Sequence, residues 1–525
     1  MMTAMTRYAR YILLPGVLVA ASLPDAQAAK NSLAAERPLT YVVLGERAHA
    51  LRGETVALLR VVLATSTGNP CVRLSIAGTQ GRRLEPIIER RNPDSRRFPI
   101  TVCEAILPFS NVFSTSGESW RAELDGKTYP LRLPTVVKTP ERVLIVGDSG
   151  CRDNKRQSCD DEQWPFRTAI PRDMARLIAD EGKPTLLLMV GDYNYRQEKK
   201  SSSPDRQWRN WLADFFTPMT GGSQDKNRKK TAPSGKDDSI GHLLTMAPLV
   251  LARGDHELCA PANEKGGAGW YFLLEPTSPL LGDADAAVLG ASCSDDDRVP
   301  ESIGAPFRLD FDNRFSLLLT DSAAIADSKR PDEEQAKALA HLLARAETNF
   351  KADNSPERLA WWVTHKPVWS VVGTDKPKVG NATAQSALKE RQNAKPPANI
   401  KLIVSGDKHF YQSIDAGGQP LQLVVGNGGV EINNNAFNGR LGAIDAEVRT
   451  ASRHGFVDAR LTIDNRVVKG WTLNSYAYPS TAGRDHRPEL IQTCRYPAPA
   501  AGKACTVVKP AYFEPIGNSR DEEGD

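Results

Sequence analysis

A chain of 525 residues is too long for one hydrophobic core and points to two domains with room for a tail. Its 67 basic and 63 acidic side chains leave a formal charge of +4, which gives no basis for binding a nucleic-acid polymer. The apolar stretch Tyr11–Ala21 falls short of the roughly 20 residues that span a bilayer, so stable membrane insertion is not expected.

Residues 1–28 read as a signal peptide. Arg7 and Arg10 precede the apolar stretch, and Ala26-Gln27-Ala28 supplies a small-residue cleavage site, which implies a periplasmic or secreted protein. The 8 cysteines fit that compartment. Proximity pairs Cys71 with Cys103, Cys151 with Cys159, Cys259 with Cys293 and Cys494 with Cys505. Cys151 and Cys259 lie beside metal-type motifs and are alternatively thiolate ligands.

Residues 30–138 show short alternating strands at Leu39–Leu44, Thr55–Ala64, Val72–Ile76, Phe98–Leu107 and Trp120–Val137, the last turning at Asp125-Gly126. Without helical periodicity, they are expected to form a β-sandwich domain in which His49 is a surface residue. Thr139-Pro140-Glu141 is the linker.

Residues 142–478 alternate strands with helices. Pro171–Gly182 is a helix with Met174, Leu177 and Ile178 on one face and Gly182 as its stop. Arg206–Phe216 aligns Trp208, Trp211, Leu212 and Phe215 as a core stripe, and Asp332–Phe350 turns Leu339, Leu342, Leu343 and Ala346 inward with His341 exposed. Thr220–Gly241 is a charged loop and Cys259–Val299 a second insertion. Gly426-Asn427-Gly428-Gly429 suits close backbone approach to a ligand. His242, His454 and His486 read as structural or surface residues. Residues 479–525 form an extension stapled by two cysteines and ending in an acidic run.

Five apolar runs in this second region each end in an Asp or His. They fall within Arg142–Asp148, Thr185–Tyr195, Ala247–Glu257, Leu359–His365 and Ile400–His409. Such runs suit strands buried on both faces, and the carboxyl ends of parallel strands are where ligands bind. The ligand-type residues are Asp148, Asp192, Tyr195, Asp255, His365, Asp407 and His409. They exceed the needs of one metal ion and suit two that share a bridging carboxylate, Asp192. Two such ions clamp a phosphate oxygen and lower the pKa of bound water to about 7, and His256 could protonate the leaving group.

This ordered set resembles the calcineurin-like metallophosphoesterases and is most similar to purple acid phosphatases. That family shows GDxG, GDxxY, GNHE, VxxH and GHxH in this order. The first two are intact here as Gly147-Asp148-Ser149-Gly150 and Gly191-Asp192-Tyr193-Asn194-Tyr195. The resemblance covers residues 142–477 and implies an α/β (α+β) four-layer sandwich preceded by a small β-sandwich domain. It implies Asp148, Asp192, Tyr195 and His409 on the first metal and Asp192, Asp255, His365 and Asp407 on the second, with iron paired with manganese, zinc or magnesium. The implied activity is a secreted dinuclear phosphoester hydrolase, a metal-bound hydroxide attacking phosphorus with His256 as general acid. The alternatives are a phosphodiesterase acting on nucleotides or phospholipid headgroups, and a non-catalytic metal-stabilised binding scaffold. Asp255 stands where the family has Asn, Asp407 where it has His, and Trp362 where it has Val. Two added carboxylates imply a second site that favours a hard divalent ion over Zn²⁺. They also imply weaker binding of a phosphate dianion relative to a singly charged diester.

Overall fold

The computed structural model describes residues 38–514, apart from 48–50, 65–68, 79–80, 91–96, 160–162, 197–204, 222–241, 260–266, 282–305, 326–328, 353–357, 374–376, 392, 436, 480–486 and 500–502. The expected signal peptide, the charged loop beyond Gly221, His49, His486 and the acidic tail therefore lie outside the described residues.

Two mixed sheets form the body of this α/β protein. The first has 11 strands, in the spatial order Cys505–Val507, Glu489–Tyr496, Val467–Ala477, Gly455–Asp464, Arg142–Val146, Thr185–Met189, Leu249–Leu251, Leu39–Glu46, Thr55–Ala64, Ile100–Leu107 and Ile88–Glu89. The second has 8, in the order Phe307–Asp310, Phe315–Thr320, Leu359–Thr364, Ile400–Ser405, Leu421–Val425, Tyr411–Ala416, Ala446–Ala451 and Gly439–Leu441. At the centre of each is a parallel block made of the apolar runs. Every residue of Arg142–Val146 and Thr185–Met189 is buried, as strands covered on both faces require.

One apolar core fills the space between the sheets, and two others lie on their outer faces under the helices. The adjacent Trp361 and Trp362 show the alternation. Trp361 enters the inter-sheet core against Phe315 and Trp471, whereas Trp362 faces the outer core and donates its indole N–H to Thr320 Oγ1 at 2.8 Å. Trp362 is therefore a packing residue in the fourth motif. The helix Ala169–Glu181 buries Met174 and Ile178 and stops at Gly182, which takes φ +61°. The helix Glu333–Ala352 buries Leu339, Leu343 and Ala346, with Leu342 only half-buried and His341 exposed. Arg206–Trp211 continues into a π-helical turn, Leu212–Phe216, which adds Asp214 to the buried face of the tryptophan stripe.

The N-terminal region does not close into a sandwich of its own. Leu39–Glu46 pairs parallel to Leu249–Leu251, and Thr55–Ala64, Ile100–Leu107 and Ile88–Glu89 extend the large sheet beyond it. Only Leu74–Gly78, Glu118–Leu124 and Lys127–Leu133 form a separate sheet among these strands. Alternation identifies a half-buried strand but not the edge it joins. The C-terminal strands extend the opposite edge, stapled by the Cys494–Cys505 disulfide. Cys71–Cys103 and Cys151–Cys159 are also bonded, and three disulfides fit an oxidising compartment. Cys259 is disulfide-bonded too, and its expected partner Cys293 lies outside the described residues. Neither Cys151 nor Cys259 is thus a free thiolate. No helix of the described residues is long and apolar enough to cross a membrane.

A buried ion cluster fastens the N-terminal strands to the turn that follows the third motif. Arg60 and Arg90 converge on Glu104 Oε1 at 2.8 and 2.7 Å. Their remaining N–H groups cap the carbonyls of Tyr271, Phe272, Leu273 and Glu275 at the end of a short helical stretch. Burial raises the Glu104 carboxyl, but the Arg90 and Arg60 guanidiniums more than offset it and hold it below its ordinary 4.5. A lowered carboxyl stabilises the fold fully above pH 4.5, and that stability is lost as pH falls through the folded value. Glu104→Gln should cost about 3–5 kcal/mol at neutral pH, because it removes the buried carboxylate that Arg60 and Arg90 share and leaves Arg90 only the more distant Glu275. Urea unfolding against pH checks this, with a flatter acid limb expected in the variant.

Candidate metal centre

The parallel blocks of both sheets deliver their carboxyl ends to one place. Asp148, Asp192 and Asp255 follow strands of the first sheet, and His365, Asp407 and His409 follow strands of the second. Asp148, Asp192 and Asp407 take φ of +51°, +56° and +68°, a left-handed conformation uncommon outside glycine. Three such residues at three strand ends turn their carboxylates out of the strand direction and into the shared rim. Gly191 and Gly254 make room for this. A Cβ on Gly191 would fall 2.4 Å from His365 Nδ1, and one on Gly254 would fall 2.1 Å from Asp192 Oδ1.

All seven expected ligand residues converge. Ligand atoms of Asp148, Asp192 and His365 lie within 4.8 Å of one another, as do those of Asp255, His365 and Asp407. The Tyr195 hydroxyl donates to Asp192 Oδ2 at 2.6 Å and lies 3.1 Å from Asp148 Oδ1 and 3.2 Å from His409 Nε2. His365 is oriented by the Val190 carbonyl, 2.7 Å from its Nδ1. With Nδ1–H donating there, Nε2 is the nitrogen that faces the cluster, 3.2 Å from Asp255 Oδ1 and 3.4 Å from Asp192 Oδ1. Asp148, Asp192 and His365 are buried, whereas the side chains of Asp255, His409 and Asp407 are 26%, 17% and 9% exposed. The cluster therefore opens to solvent on one side.

The electrostatics suit a cation. Burial and the charge of Asp192 push the Asp148 carboxyl well up, and burial with Asp192 and Asp148 does the same to the Tyr195 phenol. Burial lowers the His365 imidazole, but Asp192 and Asp255 outweigh it and raise it well above its ordinary value. Burial and the Arg152 guanidinium push His409 down to about 3, which keeps its imidazole neutral and able to ligate. Carboxylates crowded in this way need protons or a bound cation to coexist. Oxygen and imidazole donors within reach of one another provide for the cation, and these residues could hold a metal ion.

Four residues of the site went unassigned from sequence. Glu257, fully buried, accepts from the backbone N–H groups of Asp192, Tyr193, Asn194 and Gly254 and so shapes the second motif from the third. Asp214 accepts from the N–H groups of Cys151 and Tyr195 and pairs with Arg196. An acid on an otherwise aromatic helical stripe was its signal. Lys408 Nζ lies 2.6 Å from Asp407 Oδ2, so this added carboxylate brings its own counter-ion. Arg152 stacks over the Tyr195 ring, its guanidinium carbon 5.5 Å from the centroid.

The expected general acid, His256, donates its backbone N–H to Asp192 Oδ1 at 3.0 Å and holds its ring 4.0 Å from that of Tyr195, centroid to centroid. The Gly426–Gly429 turn serves the site indirectly. Gly428 N–H donates to the Gly147 carbonyl, and those of Gly429 and Val430 donate to the Asp148 carbonyl, so its close approach is to the first motif's backbone. His454 packs with Nε2 3.1 Å from the Val430 carbonyl, and His242 lies at the start of the short helix Leu243–Met246.

No family model matches the chain, and no curated protein gives a significant match to it.

Proposed function

We propose that the chain is an exported two-metal phosphoester hydrolase with a calcineurin-like metallophosphoesterase fold, similar to purple acid phosphatases. The observation that carries this is the convergence of Asp148, Asp192, Tyr195, Asp255, His365, Asp407 and His409 on the open rim of two packed sheets. Asp148, Asp192, Tyr195 and His409 would hold one ion, and Asp192, Asp255, His365 and Asp407 the other. When bound, such ions supply a water of lowered pKa and stabilise anionic phosphoryl oxygens. The carboxylate-rich second set would favour Mn²⁺, Mg²⁺ or Ca²⁺ over Zn²⁺.

The protein's own groups do the rest. Glu257 and the left-handed Asp192 fix the geometry before substrate arrives, so little reorganisation remains for the reaction. The half-buried His256 ring, packed beside Tyr195, protonates the leaving oxygen, with its backbone anchored to Asp192.

The test is hydrolysis of paired aryl phosphate mono- and diesters by protein loaded with Mn²⁺, Fe or Zn²⁺. His256→Ala should retain its metal content and lose on the order of 10²–10⁴-fold in turnover. Wild-type protein that turns over neither ester would instead be a metal-stabilised binding scaffold.

A further inference from the structure

We propose that Arg152 grips the substrate's phosphoryl group and selects dianionic phosphomonoesters; this rests on the phosphoesterase function proposed above. The cations around the rim differ in one respect. Lys408 is paired with Asp407, Arg196 with Asp214, and Arg253 with Asp321, while Lys366 Nζ donates to the Ile325 carbonyl. The Arg152 guanidinium has no hydrogen bond or ion pair to any described residue.

Its backbone, by contrast, is held firmly. The Cys151–Cys159 disulfide closes the loop that carries it, and Arg152 N–H donates to Gln157 Oε1 at 3.0 Å. Gln157 is itself buried and donates from Nε2 to the Gly429 carbonyl at 2.7 Å. A fixed backbone and the Tyr195 ring beneath it hold the guanidinium in place without occupying its N–H groups. The same ring carries the hydroxyl that reaches Asp192, Asp148 and His409, so the planar fork sits above the candidate metal ligands. Such a fork matches two phosphoryl oxygens.

Charge then bears on substrate class. Taken alone, the carboxylates of Asp148, Asp192, Asp255 and Asp407 disfavour a dianion. Lys408 cancels one of them, and Arg152, with no ion pair among the described residues, offers a positive charge that a monoester dianion uses more than a singly charged diester does.

Arg152→Met and Arg152→Lys, both metal-loaded, test this through calorimetric titration with inorganic phosphate and through KM for the paired aryl esters. Arg152→Met should weaken phosphate binding by on the order of 10- to 100-fold and raise the monoester KM comparably, with metal content unchanged and the diester KM moved much less. Arg152→Lys should recover part of the loss, because it restores charge without the fork. Unchanged phosphate affinity and an unchanged monoester-to-diester ratio in Arg152→Met, beside an active wild type, overturn the grip and leave the phosphoesterase function standing. Arg152-dependent phosphate binding without turnover in the wild type keeps the grip and removes the esterase function. A wild type that neither binds phosphate nor turns over ester removes both.

Discussion

Replacing Asp192 by asparagine should abolish metal-dependent phosphoester turnover, with a loss of at least about 10²–10³-fold, and should erase the rise in Tm that metal gives the wild type. Asp192 lies at the centre of the cluster. It is buried, it accepts the Tyr195 hydroxyl on one oxygen, and on the other it accepts the His256 N–H and faces His365. Asparagine fits the same volume and tolerates the left-handed backbone, so the fold should persist. It brings no charge, and its amide nitrogen cannot ligate a cation or accept from a neighbouring donor. Calorimetric unfolding with chelator and then with added Mn²⁺ checks the prediction. A metal at about 100 times its Kd should stabilise the wild type by about 2.7 kcal/mol. A variant that keeps that gain would remove Asp192 from the ligand set.

Glu257→Gln should be nearly as damaging by another route. Each carboxylate oxygen serves two backbone donors, Oε1 those of Tyr193 and Asn194, and Oε2 those of Asp192 and Gly254. Glutamine must turn an NH₂ group toward one of these pairs, leaving buried donors facing a donor at a cost of about 1–3 kcal/mol for each. Burial and the charge of Asp192 push the Glu257 carboxyl up to about 8. All four partners are donors, so the ionised form is the one the geometry accommodates, and a cation that neutralises Asp192 removes the second cause of the rise. The variant should therefore lose stability and also bind metal on the order of 10- to 100-fold more weakly. Metal titration followed by Tm separates the two losses. Normal metal affinity in a merely destabilised protein would reduce Glu257 to a structural brace.

The contrast between these two residues explains what could be read from the sequence. Asp192 announces itself because an apolar strand, a glycine and an acid are contiguous, the same local pattern marks Asp148, Asp255 and Asp407, and His365 stands directly at the end of its apolar run. Glu257 stands in the motif Gly254-Asp255-His256-Glu257, yet three of its four partners are 63 to 65 residues away and backbone groups carry no side-chain signature. Asp214, Lys408 and Arg152 depend likewise on which loops meet. The strand Thr55–Ala64 matches its expected limits, and the limits of Leu39–Glu46 are nearly as expected. Their membership of the large sheet was not legible, since it is decided by pairing with Leu249–Leu251, about 200 residues on.

That pairing also governs how the chain can be divided. The expected linker at Thr139-Pro140-Glu141 invites a cut that would keep every candidate ligand in one recombinant piece. Such a piece would lose the neighbour of Leu249–Leu251 and leave that strand's backbone groups open, beside a turn whose carbonyls had lost Arg60 and Arg90. An uncovered apolar edge is a template for chain-to-chain association. The N-terminal strands thus cover an edge that would otherwise template aggregation, and a shortened protein that keeps every candidate ligand should still include the strand Leu39–Glu46.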